Sequence, residues 1–121
     1  MAKHQQKTHL LRAALGWTIL TDVAKANGLT TGQLRALLGI YALRHEGLTL
    51  SAQKAVELCG LPDWQGRADI RLLVRLGYVE KKMVKVGRKW KSSLEIKPMC
   101  LPLIGSYETA ERAALREMVG L

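Results

Sequence analysis

Residues 62–97 decide the fold that we predict for this chain, and they read PDWQGRADIRLLVRLGYVEKKMVKVGRKWKSSLEIK. Arginines recur at every fourth position of a helix-forming segment, which ends at a glycine. Two strand-forming segments follow and meet at a turn, Gly87-Arg88-Lys89. Between positions 67 and 91 the chain carries nine lysines and arginines but only two acidic residues. This concentration of positive charge predicts a surface that binds a polyanion.

The length of 121 residues predicts one domain, or one domain with a helical extension, that buries its own core. Phenylalanine is absent and aromatic residues make up only 5% of the chain, so leucine, isoleucine, valine and alanine must fill that core. We therefore predict a mainly α fold with a small β-hairpin.

The net charge of +9 is unevenly distributed along the chain. Residues 1–61 contribute +4, residues 62–97 contribute +6, and residues 98–121 contribute −1. A basic middle beside a nearly neutral C-terminal segment predicts one polyanion-binding face and one segment with a different role.

Neither the cysteines nor the histidines are spaced as metal ligands, and apart from one remote nuclease-like pattern described below, no set of residues resembles a catalytic site. Cys59 and Cys100 lie in apolar segments, so we expect both to be small buried hydrophobic residues. We predict no cofactor and no enzymatic activity.

No segment has the roughly 18 consecutive apolar residues of a membrane span. The chain is expected in the cytosol, associated with the nucleoid.

The pattern of apolar residues and capping residues predicts the helices that precede the basic stretch. Residues 9–26 form a first helix, and Thr30 with Gln33 fits the capping box of a second helix that ends near His45. Ser51 or Thr49 caps a third helix, which ends at Cys59-Gly60. We expect Asp63 to cap a fourth helix that ends at Leu76. Two short helices joined by a tight turn form a helix-turn-helix.

The hairpin and the C-terminal segment follow. The first strand, Tyr78 to Val86, breaks its alternation near Met83, as a β-bulge would. The second strand alternates regularly. Trp90 could pack on the base of the wing or stack on a ligand, and we expect it to pack into the core because large aromatic side chains are usually buried. Two prolines argue against a helix at residues 98–105, and Ser106 is expected to cap a last helix at 106–119.

This order of elements resembles the winged helix-turn-helix domain of MarR-type transcriptional regulators. The likeness covers residues 29–96, and four segments carry it: Leu29-Thr30-Thr31-Gly32-Gln33, Leu48-Thr49, Gly60-Leu61 and Leu73-Val74-Arg75-Leu76-Gly77-Tyr78-Val79-Glu80. Val86 stands two residues before Arg88, where that family usually has an aspartate. The resemblance implies a homodimer held together by the terminal helices, a recognition helix in the major groove of DNA, and a wing beside it.

The resulting organisation has four parts. Residues 1–8 are a flexible basic arm, and residues 9–28 are an N-terminal helix that serves dimerisation. Residues 29–97 are the winged helix-turn-helix domain. Residues 98–121 are a connector and a C-terminal helix that also serves dimerisation. Nothing in the sequence supports a small-molecule effector.

We predict that the helix 63–76 enters the major groove of double-stranded DNA and that the hairpin 78–97 contacts the backbone or minor groove as a wing. Arg67 could bind guanine and Gln65 could bind adenine, while Gly66 would let the backbone approach the DNA. The candidate contact residues are Trp64, Gln65, Arg67, Ala68, Arg71, Arg75, Lys85, Arg88, Lys89 and Lys91.

Three other interpretations stay open. In the first, the basic residues only keep a helix face and an edge strand solvated. In the second, the winged helix contacts protein, as an adaptor or inhibitor of the kind that mobile elements encode. A more remote alternative is a metal-dependent nuclease, because Pro62-Asp63 and Glu80-Lys81-Lys82 match its Pro-Asp and Glu-x-Lys pattern, with Asp63, Glu80 and Lys82 as the active residues.

Overall fold

The structure is a computed structural model that describes residues 17–48 and 50–120, without the side chain of Asp63. The predicted arm 1–8 and the first part of the N-terminal helix, residues 9–16, lie outside the described residues. The described chain is mainly helical and contains a two-stranded antiparallel sheet, which confirms the predicted balance of helix and hairpin. Its elements are α1 (17–26), α2 (Thr31–His45), α3 (Ala52–Cys59), α4 (Asp63–Arg75), β1 (Val79–Val86), β2 (Lys89–Ile96), a 3-10 turn at Pro98–Cys100 and α5 (Leu101–Met118).

Capping residues fix the helix boundaries much as the sequence predicts. The Ser51 side chain accepts a hydrogen bond from the Lys54 backbone amide at 3.1 Å, which makes Ser51 rather than Thr49 the cap of α3. Gly60 ends α3 with a φ of 65°, a left-handed conformation that side chains disfavour. The prediction for Asp63 is wrong by one residue, because Pro62 occupies the cap position and Asp63 is the first residue of α4.

The described residues form two compact units. One contains residues 17–31 and 102–120, which include α1 and almost all of α5. The other, Gly32–Leu101, contains α2, α3, α4 and the hairpin. All of the predicted DNA-contact residues belong to this second unit.

The core of the second unit is aliphatic, as the lack of phenylalanine requires. Helix α3 packs on α4 and β2, and α4 also packs on β1. The Leu94 amide of β2 donates to the Leu50 carbonyl at 2.7 Å, which ties the segment before α3 to the hairpin. The largest fully buried side chains of this unit are Leu34, Leu37, Ile40, Leu50, Leu73, Val79, Ser93, Leu94 and Cys100.

The hairpin is more regular than predicted. Strand β1 pairs with β2 without interruption from Val79 opposite Ile96 to Val86 opposite Lys89, so the bulge predicted near Met83 is wrong. A two-residue turn, Gly87-Arg88, joins the strands. Only Gly87 of these two has a positive φ, 66°, which is the pattern of a type II′ turn.

The predicted non-helical connector at 98–105 is also wrong. A 3-10 turn occupies Pro98–Cys100, and α5 begins at Leu101 rather than at Ser106. Both prolines lie in first turns, where the missing amide hydrogen costs no helical hydrogen bond. The Ser106 hydroxyl donates to the Pro102 carbonyl at 3.0 Å inside the helix and therefore does not cap it.

Candidate nucleic-acid interface

Helix α4 presents one basic face to solvent. Trp64 is 75% exposed, and the arginines of the stripe are all exposed. At about 100° per residue these side chains fall within a single sector of the helix. Ile70 and Leu73 lie outside this sector and are buried. The predicted arginine stripe therefore exists as a surface, formed by Arg67, Arg71 and Arg75.

Gly66 lies on the inner side of α4 and not on the basic face. A methyl group added at this position would lie 2.8 Å from the Leu61 side chain and 3.1 Å from the Val56 side chain. The glycine thus allows α4 to pack closely on α3 and on the turn between them. The predicted role of Gly66, a close approach of the backbone to DNA, is wrong because this residue is buried against the protein.

Asp69, the acidic residue of α4 whose side chain the structure describes, is directed away from the basic face. Asp69 is only 3% exposed and accepts a hydrogen bond from the half-buried Gln65 side chain at 3.0 Å. The amide that was predicted to bind adenine is therefore already hydrogen-bonded within the helix. Ala68 is half-buried beside it. Among the described side chains of α4, the outward face carries arginine but no carboxylate.

A cleft of about 470 Å³ lies between α4 and the hairpin. Apolar and cationic side chains line it, and no carboxylate is among the described residues of its lining. The sequence reasoning missed Lys81, although it stands two residues after the buried Val79 and therefore shares its side of the strand. The lining residues are Ala52, Arg67, Ile70, Arg71, Val74, Arg75, Lys81 and Leu94.

The two faces of the hairpin differ in charge pairing. Strand alternation and the pairing register place eight residues on the face that borders the cleft, which we call the cleft face: Val79, Lys81, Met83, Lys85, Trp90, Ser92, Leu94 and Ile96. The opposite face, which we call the paired face, consists of Glu80, Lys82, Val84, Val86, Lys89, Lys91, Ser93 and Glu95. Only the paired face carries acidic residues.

The acidic residues of the paired face are bound to cations. Glu95 accepts two hydrogen bonds from Arg44 of α2, at 2.8 and 2.9 Å. Glu80 lies 3.9 Å from the Lys82 ammonium and 3.8 Å from the Lys97 ammonium. In the described part of the chain, the ion pairs involve none of Arg71, Arg75 and Lys81.

The end of the hairpin is basic and exposed. The four cations predicted there, Lys85, Arg88, Lys89 and Lys91, are all exposed. They do not form one cluster on one side, because Lys85 belongs to the cleft face and Lys89 and Lys91 belong to the paired face.

Trp90 is not a core residue, and that prediction is wrong. The residue is 64% exposed and stands opposite Lys85, one pair before the last pair of the hairpin. On the same cleft face Leu94 is 1% exposed and Met83 is 60% exposed. The core therefore covers only the inner end of this face, and the strands extend beyond it.

The described residues offer little support for catalysis. Burial raises the pKa of both the Cys59 and Cys100 thiols, so neither is activated as a nucleophile at neutral pH. No group of three or more histidine, cysteine or acidic residues could hold a metal ion in the part of the chain that the structure describes. Glu80 and Lys82 share a strand face, but the sheet has two strands and Asp63 begins a helix.

Comparison with known proteins adds no family assignment. No family model matches the chain, and no curated protein matches it. Within residues 17–48 and 50–120, none of the helices has the length and apolar character that crossing a membrane requires.

Proposed function

We propose that this chain is a winged helix-turn-helix protein, resembling the MarR-type regulators, that binds double-stranded DNA and regulates transcription. Helix α4 is the recognition helix, and the β1–β2 hairpin is the wing. The arginine stripe of α4 enters the major groove, and the cations of the hairpin contact the backbone or the minor groove. The protein acts as a homodimer through its terminal helices.

The cleft between α4 and the hairpin is the observation that carries this proposal. Arg71 and Arg75 approach it from the helix and Lys81 approaches it from β1. A solvated charged surface usually mixes both signs, whereas the described lining of this cleft has only one. Residues distant in sequence converge there, so cations of the helix and of the first strand line one cleft. Such a cleft suits the phosphates of a duplex.

The position of Asp69 gives independent support. A carboxylate on the outward face of α4 would repel phosphate, but Asp69 is buried and hydrogen-bonded to Gln65. Among the described side chains, the charged ones on the outward face are Arg67, Arg71 and Arg75, and the amides of the first turn of α4 add partial positive charge.

Neighbouring lysines provide a matched test. Lys81 lies on the cleft face and Lys82 lies on the paired face next to Glu80. Binding to a 24-base-pair duplex should be measured by fluorescence anisotropy from low to moderate salt. The slope of log affinity against log salt is expected to fall by about 0.9 in Lys81→Ala, because one phosphate contact is lost. In Lys82→Ala the slope should stay close to that of the native chain.

The proposal fails if the native chain binds no duplex at low salt, or if Lys81→Ala and Lys82→Ala weaken binding equally. If the native chain does bind duplex DNA, selection of bound DNA from a random pool gives the preferred sequence. A palindromic site with half-sites about one helical turn apart is expected for the homodimer.

Protein binding is a second candidate function, and the exposed tryptophans favour it. Trp64 and Trp90 together with Met83 place large apolar side chains on the surface, as adaptors and inhibitors do. An adaptor would bind a protein partner stoichiometrically in the absence of nucleic acid, and its affinity would depend on Trp90 more than on Lys81.

The remote nuclease alternative is tested by incubating the protein with plasmid DNA and Mg²⁺ or Mn²⁺. Plasmid that stays intact contradicts it.

A further inference from the structure

The large apolar side chains on the outer half of the cleft face have no role in the duplex binding proposed above. Beyond the core it exposes two large side chains, Met83 and Trp90, and one cation, Lys85, directly opposite Trp90. A tryptophan that is 64% exposed leaves most of its ring in water, which is unfavourable unless a partner covers it. This arrangement indicates a ligand with both an apolar planar part and negative charge.

The surrounding charge defines the class of that ligand. Lys85 stands opposite Trp90 on the same face, Arg88 lies in the adjoining turn, and Lys89 and Lys91 are the chain neighbours of Trp90 on the paired face. The acidic residues of the hairpin, Glu80 and Glu95, lie on the paired face and are close to cations. An apolar protein surface would gain little from this concentration of positive charge. A nucleic acid provides both a phosphate backbone and bases with planar apolar faces.

The bases of an intact duplex are stacked on each other, so their faces are not accessible to a side chain. An indole ring contacts a base face only where the base is unpaired or where a base step has been opened. We therefore propose that the hairpin stacks Trp90 on an unpaired base, and that the preferred ligand is a duplex adjoining a single-stranded segment. This proposal rests on the proposed function for the part of the ligand that α4 binds.

The geometry divides the ligand between the two elements. The duplex part lies along α4 and the cleft, where Arg71, Arg75 and Lys81 meet its phosphates. The single-stranded part continues along the cleft face of the hairpin, past Met83 to Trp90. Lys85, opposite Trp90 in the register, is placed to contact the phosphate next to the stacked base.

The test compares three ligands that carry the same fluorescent label. They are a blunt duplex, the same duplex with an eight-nucleotide thymidine overhang, and the overhang strand alone. The overhang duplex is expected to bind about tenfold more tightly than the blunt duplex, which is a typical effect of one stacked base. It should also quench tryptophan fluorescence, and a 2-aminopurine placed in the overhang should change its emission on binding.

Substitutions of exposed residues keep the fold intact. Trp90→Ala should abolish the preference for the overhang duplex and leave the affinity for the blunt duplex unchanged, while Trp90→Phe should retain part of the preference. Val86→Ala is the matched control, because Val86 is an exposed apolar residue on the paired face of the same hairpin. It should alter neither affinity.

The outcomes separate the two proposals. Equal affinity for blunt and overhang duplexes, or an equal loss for both in Trp90→Ala, overturns the stacking proposal and leaves duplex binding in place. Binding of the overhang strand without binding of the blunt duplex supports stacking and contradicts the proposed duplex function. If none of the three ligands binds at low salt, both proposals fail.

Discussion

The two faces of the hairpin carry similar numbers of lysines but use them differently. On the paired face, Glu95 holds Arg44 and Glu80 lies within 4 Å of Lys82 and Lys97. On the cleft face, Lys81 and Lys85 have no carboxylate beside them on their own face. A count of basic residues therefore does not identify a binding surface. What distinguishes the cleft face is the absence of acidic neighbours among its residues, together with the arginine stripe of α4 across the cleft.

The largest effect is expected where the cleft face belongs to the core. Leu94 is 1% exposed, and Leu94→Ala should lower the free energy of unfolding by about 2–5 kcal/mol, because it removes buried contacts and leaves a cavity. Urea denaturation monitored by circular dichroism measures this change.

Met83→Ala, on the same face but 60% exposed, is the control and should cost less than about 0.5 kcal/mol. Equal losses in the two variants would mean that the core extends to the end of the hairpin, against the structure.

Reversing one charge should make the cleft face resemble the paired face. Lys81→Glu places a carboxylate beside Arg71 and Arg75, which attracts these cations and repels phosphate. We expect affinity for a duplex to fall by about 30- to 100-fold at low salt, as measured by fluorescence anisotropy.

The same reversal at the neighbouring position, Lys82→Glu, adds its charge to the paired face and should weaken binding by less than about fivefold. A comparable loss in both variants would show that overall charge, and not the cleft, determines affinity.

The role of the paired face is tested through Glu95. Glu95→Gln removes the charge that binds Arg44 by two hydrogen bonds in a half-buried position, and it should destabilise the fold by about 1–2 kcal/mol. The affinity of the folded fraction of this variant for duplex DNA should stay within about twofold of the native value.

Glu46→Gln is a control with the same change of charge, since Glu46 is exposed in the turn after α2. If Glu46→Gln destabilises the protein as much as Glu95→Gln, the ion pair with Arg44 is not the cause.

The smallest effect is expected from Glu80→Gln, which releases Lys82 and Lys97 from their acidic neighbour. Duplex affinity should rise by no more than about threefold, because exposed ion pairs contribute little and these lysines are not in the cleft. An increase of tenfold or more, measured by anisotropy at low salt, would show that the paired face also contacts DNA.

Local sequence signals predicted most of the elements correctly. Ser51 caps the start of α3 and Gly60 ends it, as the sequence predicts, because a side-chain cap and a left-handed glycine depend only on nearby backbone. The arginine stripe was also predictable, because helical periodicity alone places residues four apart on one face. The prolines at 98 and 102 misled the prediction, because a proline is compatible with the first turn of a helix and only its place in the helix decides its effect.

The sequence by itself determined which residues of one element share a face, that α3 lies between Ser51 and Gly60, and that the basic charge centres on residues 62–97. Only the tertiary structure decided which faces are covered and how far. It placed Gly66 against α3, turned Asp69 inward, brought Lys81 to the arginine stripe, and left Trp90 in solvent. The physical reason is that periodicity is a property of one element, whereas burial depends on contacts with elements that are distant in the chain.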